Sequence, residues 1–324
     1  MENNFENRIP LEDIQNNMGL VTQELKKIIV GQEKMIHLLL ISLLADGHVL
    51  IEGFPGLAKT ITARLLAEAI DCDFKRLQFT PDMMPSDILG TSIFNFKTSE
   101  FETKKGPVFT HFLLIDEINR SPAKTQSALF EVMEERQVTL DGTTYKIPLP
   151  NMIIATQNPI DMEGTYRLPE AQMDRFLFKI NIDYPNQEEE SLILKMQHNI
   201  GNQSKIDQIN KVLSKESILK YQALTRQVQV ETHLFDYIAQ IVQKTRKHKD
   251  IMVGASPRAS LALLISSKAN AILNGRDFIT PEDITYVCEA VLNHRIILTP
   301  EKEMEGKTPQ MVIEQIVRTV DIPR

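Results

Sequence analysis

The first half of the chain alternates short apolar runs with amphipathic segments, a pattern typical of a parallel β-sheet covered by helices. Most of the apolar runs are nearly continuous, as expected of strands that are buried on both faces. We therefore predict an α/β core over residues 1–184 with a five-stranded parallel sheet between helices (αβα), the strands lying at residues 48–52, 74–79, 112–116, 152–156 and 178–182.

After Pro185 the pattern changes to long segments with apolar residues at helical spacing. Two of these segments begin with a capping residue followed by proline, Ser256-Pro257 and Thr280-Pro281, which is a typical helix start. The sequence thus predicts a second, all-helical domain over residues 185–324, with helices at about residues 188–199, 231–248, 257–274 and 281–294.

Two β-hairpins are predicted as insertions in the first domain. Residues 138–147 place an Asp141-Gly142 turn between alternating flanks, which is a strong hairpin signal, and residues 92–106 give a weaker one. Hairpins that decorate a sheet are most often structural. In an enzyme that moves a macromolecule, they are also natural contact points.

Residues 53–60, GFPGLAKT, nearly match the phosphate-binding loop G-x-x-x-x-G-K-[ST], with Ala58 in place of the second glycine. Backbone N–H groups and the following helix N-terminus would cradle phosphates. Lys59 would reach the outer phosphates and the Thr60 hydroxyl would bind Mg²⁺. Ala58 is costly only if its φ angle is positive. The predicted nucleotide-binding residues here are Gly53, Pro55, Gly56, Leu57, Ala58, Lys59, Thr60 and Ile61.

The stretch HFLLIDEINR, residues 111–120, is an apolar strand that ends in two acids. Ligands bind at the carboxyl ends of parallel strands in open α/β sheets. Asp116 is therefore placed to hold Mg²⁺, and Glu117 to polarise an attacking water as a general base. A chance Asp-Glu pair at a strand end is the alternative, which the phosphate loop upstream disfavours.

Three further residues are candidates for contacts with a nucleotide. Asn158 ends an apolar strand in IIATQNP and could orient the lytic water, although asparagine before proline also favours a plain turn. Arg175 lies just before the fifth strand. Arg258 lies in the first turn of a helix, where a cation opposes the helix dipole by about 0.3–1 kcal/mol. We infer that Arg258 faces an anion, and the alternative is a surface arginine paired with a carboxylate.

Composition and charge narrow the function further. The net charge is −7, and residues 1–184 hold 18 basic and 26 acidic residues, which argues against a nucleic-acid binder. Cys72 and Cys288 lie far apart, and nothing indicates that they pair. The polar start MENNFENRIP does not indicate a signal peptide, and no apolar run is long enough to span a bilayer, so we expect a cytoplasmic protein.

Taken together, the motifs resemble those of the MoxR family of AAA+ ATPases from about Gly19 to Arg295. The family commonly has alanine at the position of Ala58, so the resemblance implies that the loop works. It also implies an ATPase core, a helical lid and ATP in the cleft between them. The most specific motifs are GFPGLAKT, GPVFTHFLLIDEINRSPAKTQSALFEVMEERQVTL, ATQNP, LPEAQMDRF and GASPRAS.

The resemblance assigns roles to individual positions. Asp116 and Glu117 match the Walker B acids, and Asn158 matches sensor 1. Arg175 matches the arginine that reaches a neighbouring subunit's ATP, and Arg258 matches sensor 2 of the lid. The segment near the adenine is matched by Val30, Gly31 and Gln32.

The two hairpins also have counterparts in the family. Residues 92–106 fall at the helix-2 insert, and residues 138–147 fall at the hairpin before sensor 1. Arg167 stands where we expect the family to have proline. Arg167 and Arg120 are thus further candidates for the arginine that acts in trans.

The expected function is Mg²⁺-dependent ATP hydrolysis by a ring, expected to be a hexamer, that remodels or matures a protein partner. The resemblance suggests a partner with a von Willebrand factor A domain. A metal-chelatase-type motor subunit is one alternative. A nucleic-acid motor is another, and a nucleotide-gated binding module with little turnover is a third. The nucleic-acid motor needs basic hairpins, and these hairpins offer only Lys97, Lys104, Lys105 and Lys146.

Overall fold

A parallel sheet forms the centre of the molecule in the computed structural model, which describes residues 10–159, 166, 168–200 and 206–322. Its strand order is β2-β5-β8-β1-β9. All five strands predicted from the sequence are present, and the Cα registers are parallel throughout. Their bounds are β1 Val49–Gly53, β2 Phe74–Gln78, β5 Phe112–Asp116, β8 Met152–Gln157 and β9 Phe178–Ile182.

Successive residues of the central strands belong to two different apolar clusters, which shows that the sheet is buried on both faces. Val49 and Ile51 of β1 pack in one cluster, whereas Leu50 packs in the other. Helices α1 to α3 supply the first cluster and α5 supplies the second. The helices before the lid are α1 Leu11–Lys26, α2 Glu33–Leu44, α3 Lys59–Ala69, α4 Pro85–Leu89, α5 Ala123–Glu135 and α6 Glu170–Met173.

Both predicted hairpins are confirmed, and they contact each other. The first pairs β3 Gly90–Asn95 with β4 Glu100–Lys105, and the second pairs β6 Gln137–Leu140 with β7 Thr143–Lys146. Thr103 Oγ1 lies 3.2 Å from the hydroxyl of Tyr145. The Lys105 ammonium lies 5.0 Å from the centre of the Tyr145 ring. The hairpins therefore form one joined projection on the core.

The lid begins with α7, and four of its helices match the four predicted ones within a few residues at each end, whereas the other three were not predicted. Ser256 caps α10 through the N–H of Arg258, and Thr280 forms a capping box with Asp283, as the sequence indicated. The helices are α7 Gln187–Ile200, α8 Lys215–Arg226, α9 Thr232–Lys247, α10 Pro257–Leu273, α11 Pro281–Leu292, α12 Pro300–Met304 and α13 Pro309–Thr319.

The prediction that the lid is all-helical is wrong in one detail. A short antiparallel pair joins β10 Ile251–Val253 to β11 Ile297–Leu298. Both strands lie in connections between helices, where backbone N–H and C=O groups have no helical partners and must be paired otherwise. None of the helices in the described part of the chain is long and apolar enough to cross a membrane.

The lid packs against the helices that precede the phosphate loop, so core and lid share one apolar cluster that runs from Ile14 to Val320. Helix α10 lies against α1 and α2, and α8 lies against α2. Gln222 of α8 donates to the carbonyl of Leu43 at 2.8 Å. The sequence boundary near Pro185 therefore separates two patterns of secondary structure and does not separate two hydrophobic cores.

A polar seam fixes the lid to the loop before β9. Arg295, with a side chain only 3 % exposed, donates to Asp174 Oδ1 at 2.6 Å. It also donates to the carbonyls of Phe176 and Leu177 at 2.7 and 3.1 Å. The Ser256 hydroxyl donates to the other oxygen of Asp174 at 3.0 Å. The first turn of α10 is thus held beside this loop.

Candidate active site

The phosphate loop connects β1 to α3. Where the consensus has its second glycine, the backbone of this loop adopts a conformation that alanine does not favour. Ala58 has φ 59° and ψ 12°, which is the left-handed region, and Gly56 has φ 87°. The left-handed conformation costs an L-residue roughly 1–2 kcal/mol. The sequence left open whether the φ angle of Ala58 is positive. It is positive, so alanine is strained at this position. The loop nevertheless keeps its conformation with alanine in place.

Lys59 begins α3, and its ammonium donates to the carbonyl of Gly53. The pKa of Lys59 is lowered because burial disfavours the charged form, and this outweighs the attraction of Asp116, Glu117 and Glu52. A half-buried cation at a helix N-terminus is poorly compensated by these groups alone. The negative charge of a polyphosphate bound to the loop would compensate the positive charge of the Lys59 ammonium.

A cavity of about 410 Å³ opens above the phosphate loop at the carboxyl ends of β1, β5 and β8. Its walls bring together residues that are far apart in the sequence. Every residue from Pro55 to Ile61 lines it, and so do Asp116, Glu117 and Asn158. Gly53 lies at the end of β1, beneath the loop.

Asp116 lies at the end of β5, and its side chain is buried. The hydroxyl of Thr60 lies 3.4 and 3.5 Å from the two carboxylate oxygens, and the Thr156 hydroxyl donates to Oδ1 at 3.1 Å. Arg76 Nε donates to Oδ2 at 2.6 Å. The guanidinium supplies a positive charge beside the carboxylate, as a bound cation would.

The oxygen donors around Asp116 suit Mg²⁺. This ion commonly takes one or two protein oxygens and completes its shell with water and phosphate oxygens. Thr60 and Asp116 offer such a pair, side by side in the wall of the cavity. No cluster of three or more His, Cys, Asp or Glu residues occurs in the described part of the chain, and this kind of site does not need one.

Glu117 is held in a strained conformation, with φ 57° in the left-handed region. Its backbone N–H donates to Thr156 Oγ1 at 3.1 Å. Arg120 Nε and Gln78 Nε2 hold its carboxylate at 2.8 and 3.1 Å, both through Oε2. The carboxylate thus faces the cavity while two donors fix one of its oxygens.

Three residues of this site escaped the sequence analysis: Arg76, Gln78 and Thr156. The signal for the first two was readable. They alternate in the strand segment FKRLQF, so both point to one face, and β2 pairs with the strand that carries Asp116. Gln78 lies directly opposite Asp116 in the register. Thr156 has no comparable signal, because threonine is an ordinary residue in a strand.

The segment from Val30 to Gln32 lies beside residues 183–189, where the chain passes from the core to the lid. It does not line the phosphate cavity. Gly31 has φ 74°, and a Cβ built on it would lie 2.5 Å from the carboxyl carbon of Glu189 in α7. Gln32 Nε2 donates to the carbonyl of Asp183 at 3.4 Å. In the same region Phe54, next to the phosphate loop, stacks on Tyr184 at 5.0 Å. The segment and the loop therefore border one junction.

Arg175 and Arg258 lie together, away from the phosphate loop of their own chain. Both bind Glu134: Arg175 Nε donates to Oε2 at 2.8 Å, and Arg258 Nη2 donates to Oε1 at 2.6 Å. The pocket beside them is lined by residues 46–48, which precede β1, whereas the phosphate loop follows β1. The two arginines and the phosphate loop are therefore separated by about the length of the five-residue strand β1, which is about 17 Å.

Arg258, which was predicted to face an anion, does not line the cavity at the phosphate loop of its own chain. The residue pairs with a carboxylate, as the alternative interpretation held. The reason is the docking of the lid, since the seam at Asp174 brings the start of α10 to the amino ends of the strands. Arg120 lies instead at its own chain's Glu117, and Arg167 lies outside the described residues.

Comparisons with known proteins identify the class of this fold and site. The family described as "ATPase family associated with various cellular activities (AAA)" matches residues 48–178, and the AAA lid domain matches residues 243–316. A crystal structure of a putative ATPase from Cytophaga hutchinsonii superposes with a TM-score of 0.90, at 44% identity and 97% coverage of each chain.

The relatives specify the family. Chaperone MoxR1 of Mycobacterium tuberculosis is 44% identical over 310 residues, covering 93% of this chain and 81% of that protein. Protein MoxR of Paracoccus denitrificans is 30% identical over 327 residues, covering 92% and 94%. The uncharacterized protein YeaC of Bacillus subtilis is 44% identical over 312 residues, covering 96% and 97%. The chain belongs to the MoxR family of AAA+ ATPases.

Proposed function

We propose that this protein hydrolyses ATP to ADP and phosphate with Mg²⁺, and that a neighbouring subunit completes each active site. One observation carries the proposal: Lys59, Asp116, Glu117 and Asn158 converge on one cavity at the phosphate loop. The site and the family support it together. The core over residues 1–184 would hold the nucleotide, and the lid over residues 185–324 would carry Arg258.

Each residue of the cavity has a distinct role in this proposal. The N–H groups of the loop and the Lys59 ammonium bind the phosphates, which relieves the poorly compensated charge of Lys59. Thr60 and Asp116 would hold Mg²⁺, which when bound neutralises charge on the phosphate oxygens. Residues Val30 to Gln32 would border the adenine end, near the junction of core and lid.

Glu117 and Asn158 would act on the attacking water. Glu117 accepts a hydrogen bond from the water and polarises it, with Asn158 orienting the same water from the end of β8. The geometry requires a change at Glu117, because Arg120 and Gln78 hold one carboxylate oxygen. A phosphate bound nearby would compete for the Arg120 guanidinium, and this would release the carboxylate.

Arg175 and Arg258 would act in trans, on the nucleotide of the neighbouring subunit. They lie at the amino ends of the strands, opposite their own phosphate loop, so they cannot reach their own nucleotide. Both arginine side chains remain partly exposed, at 29% and 52%. An arginine supplied in this way can raise the rate of hydrolysis by ~10³–10⁵.

We propose that the working form is a ring, taken to be a hexamer, in the cytoplasm. Its task would be to remodel or mature a protein client, and the relative named Chaperone MoxR1 supports this role. A client with a von Willebrand factor A domain stays a proposal from the resemblance. The metal-chelatase-type motor remains the second candidate, because its ATP site would be the same.

The first hairpin favours a protein client over a nucleic acid. Its exposed surface includes Phe96 and Phe101, which are 88% and 74% exposed. Glu100 and Glu102 are also exposed on β4, where they would repel a phosphate backbone. Lys105, one of its few cations, lies over Phe109 and Tyr145.

The proposal is tested by measuring phosphate release and nucleotide binding separately. Glu117→Gln is expected to abolish release while it still binds a fluorescent ATP analogue, because only the water-polarising carboxylate is lost. Lys59→Ala is expected to lose both. Wild-type protein that binds ATP but releases no phosphate at any concentration, with Mg²⁺ present, would contradict the proposal.

A further inference from the structure

We infer that Glu134 is a positioning residue for ATP hydrolysis, because it fixes Arg175 and Arg258 as one unit that contacts the neighbouring subunit's nucleotide. The inference rests on the proposed function above. Glu134 lies near the end of α5, and each of its carboxylate oxygens binds a different arginine. Among the described residues, it is the one carboxylate bonded to both guanidiniums.

Three separate parts of the chain meet at this carboxylate. Glu134 belongs to a core helix, Arg175 precedes β9, and Arg258 is in the first turn of lid helix α10. Two guanidiniums repel each other at short range, and the shared carboxylate offsets that repulsion. The pKa of Glu134 is lowered, chiefly by the hydrogen bond from Arg175, so the carboxylate stays ionised near neutral pH.

The bonds to Glu134 leave both arginines able to bind a further anion. Glu134 occupies Nε and Nη2 of Arg175 and Nη2 of Arg258. Each guanidinium has five N–H groups in a fixed fork, so Nη1 of each is not used by this carboxylate. A phosphate approaching from a neighbouring subunit can therefore bind both arginines while Glu134 keeps its place.

Neighbouring residues hold Glu134, Arg175 and Arg258 in fixed positions relative to one another. The Arg175 guanidinium lies 5.9 Å from the ring centre of Phe130, one helical turn before Glu134. Asp174, next to Arg175, is bonded to Ser256 and to Arg295 of the lid. The backbone at both arginines is thus fixed by the seam, and Glu134 fixes their charged ends. A displacement of about 1 Å in such groups can cost about 10²-fold in rate.

Substitution of Glu134 tests the inference directly. Glu134→Ala is expected to lower kcat by about 10- to 100-fold, with KM for ATP unchanged, because the cis site is intact. Glu134→Gln is expected to lose less, since an amide offers one acceptor oxygen and can hold one arginine. Glu135→Ala is the matched control, because Glu135 is exposed and has no bond to either arginine. An unchanged or raised kcat in Glu134→Ala would overturn the inference.

Mixed assemblies separate a trans defect from a general loss of structure. A Glu134→Ala subunit has an intact phosphate loop, and a Glu117→Gln subunit has intact arginines. An equimolar mixture is expected to be more active than the mean of the two variants measured separately. A variant that merely damages its own fold would show no such recovery.

A second mixture distinguishes this inference from the proposed function. Arg175→Ala mixed with Glu117→Gln is expected to recover activity in the same way. If that mixture recovers and the Glu134→Ala mixture does not, the role of Glu134 is overturned while the shared site stands. If neither mixture recovers, the shared site itself is contradicted, and the inference falls with it.

Discussion

At the scale of single residues, Ala58 shows how the phosphate loop departs from its consensus without losing its shape. The consensus glycine suits the left-handed backbone, and Ala58 adopts that backbone with a Cβ. The conformation is maintained by its surroundings, where the Ala58 carbonyl accepts from the N–H of Thr62 at 2.9 Å.

Ala58→Gly is expected to raise the free energy of unfolding by about 0.5–1 kcal/mol, because relief of strain exceeds the entropy that glycine adds to the unfolded chain. Thermal unfolding in the absence of nucleotide measures it. Ala128→Gly, within α5, is the control and is expected to destabilise the protein by about 1 kcal/mol. If both variants lose stability equally, the strain at Ala58 is refuted.

The sequence was enough to predict the residues at the phosphate loop, but it was not enough to predict where Arg258 lies or which residue holds it. Lys59, Asp116 and Glu117 were readable because each stands at a fixed distance from a strand end. The location of Arg258 was not readable, since it depends on how the lid docks. Glu134 gave no signal at all, because an acid near the end of a helix is ordinary until both arginines are seen against it.

At the scale of elements, the seam between lid and core determines where the arginines lie. Arg295 of the lid is nearly fully buried, and it bonds to Asp174 and to carbonyls of the preceding core loop. The capping signals for α10 and α11 predicted those helices from the sequence. The seam could not be predicted, because it joins residues more than 80 positions apart.

Arg295→Met is expected to lower the free energy of unfolding by about 3–5 kcal/mol, because Asp174 loses its charged partner in a mostly buried place. Urea unfolding followed by circular dichroism measures it. Arg226→Met is the matched control, since Arg226 is 66% exposed and its partner Asp46 keeps a bond from Arg136, so the expected loss is less than about 1 kcal/mol. Equal losses in the two variants would mean that the seam contributes no more than a surface pair.

At the scale of the whole molecule, two buried histidines, His48 before β1 and His294 after α11, couple stability to pH. Burial, and to a lesser extent the charge of Arg136, lower the pKa of His48 to about 4. Burial likewise lowers the pKa of His294 well below its usual value. His48 Nδ1 accepts from the N–H of Ile153 at 3.1 Å, so protonation at that nitrogen would break the bond.

The folded protein therefore holds these histidines neutral, while the unfolded chain protonates them below about pH 6.5. Stability is fully present above that pH and is lost as the pH falls toward 4. For His48 alone, the expected loss between pH 7.5 and 5.0 is about 2 kcal/mol. Urea midpoints at the two pH values measure it.

His48→Asn is the control for this pH effect, because its carbonyl oxygen can accept from Ile153 without titrating. Its urea midpoint is expected to fall less than that of the wild type between the two pH values. A wild-type midpoint that does not change with pH would contradict the assignment of a neutral buried histidine.

The most direct test of the central claim is the ATPase activity per subunit measured against protein concentration, with assembly followed by sedimentation on the same samples. We expect activity to rise over the concentration range in which rings form, and we expect Arg175→Ala to form rings without that rise. A monomer that hydrolyses ATP at full rate at every concentration would contradict the claim that the active site is shared.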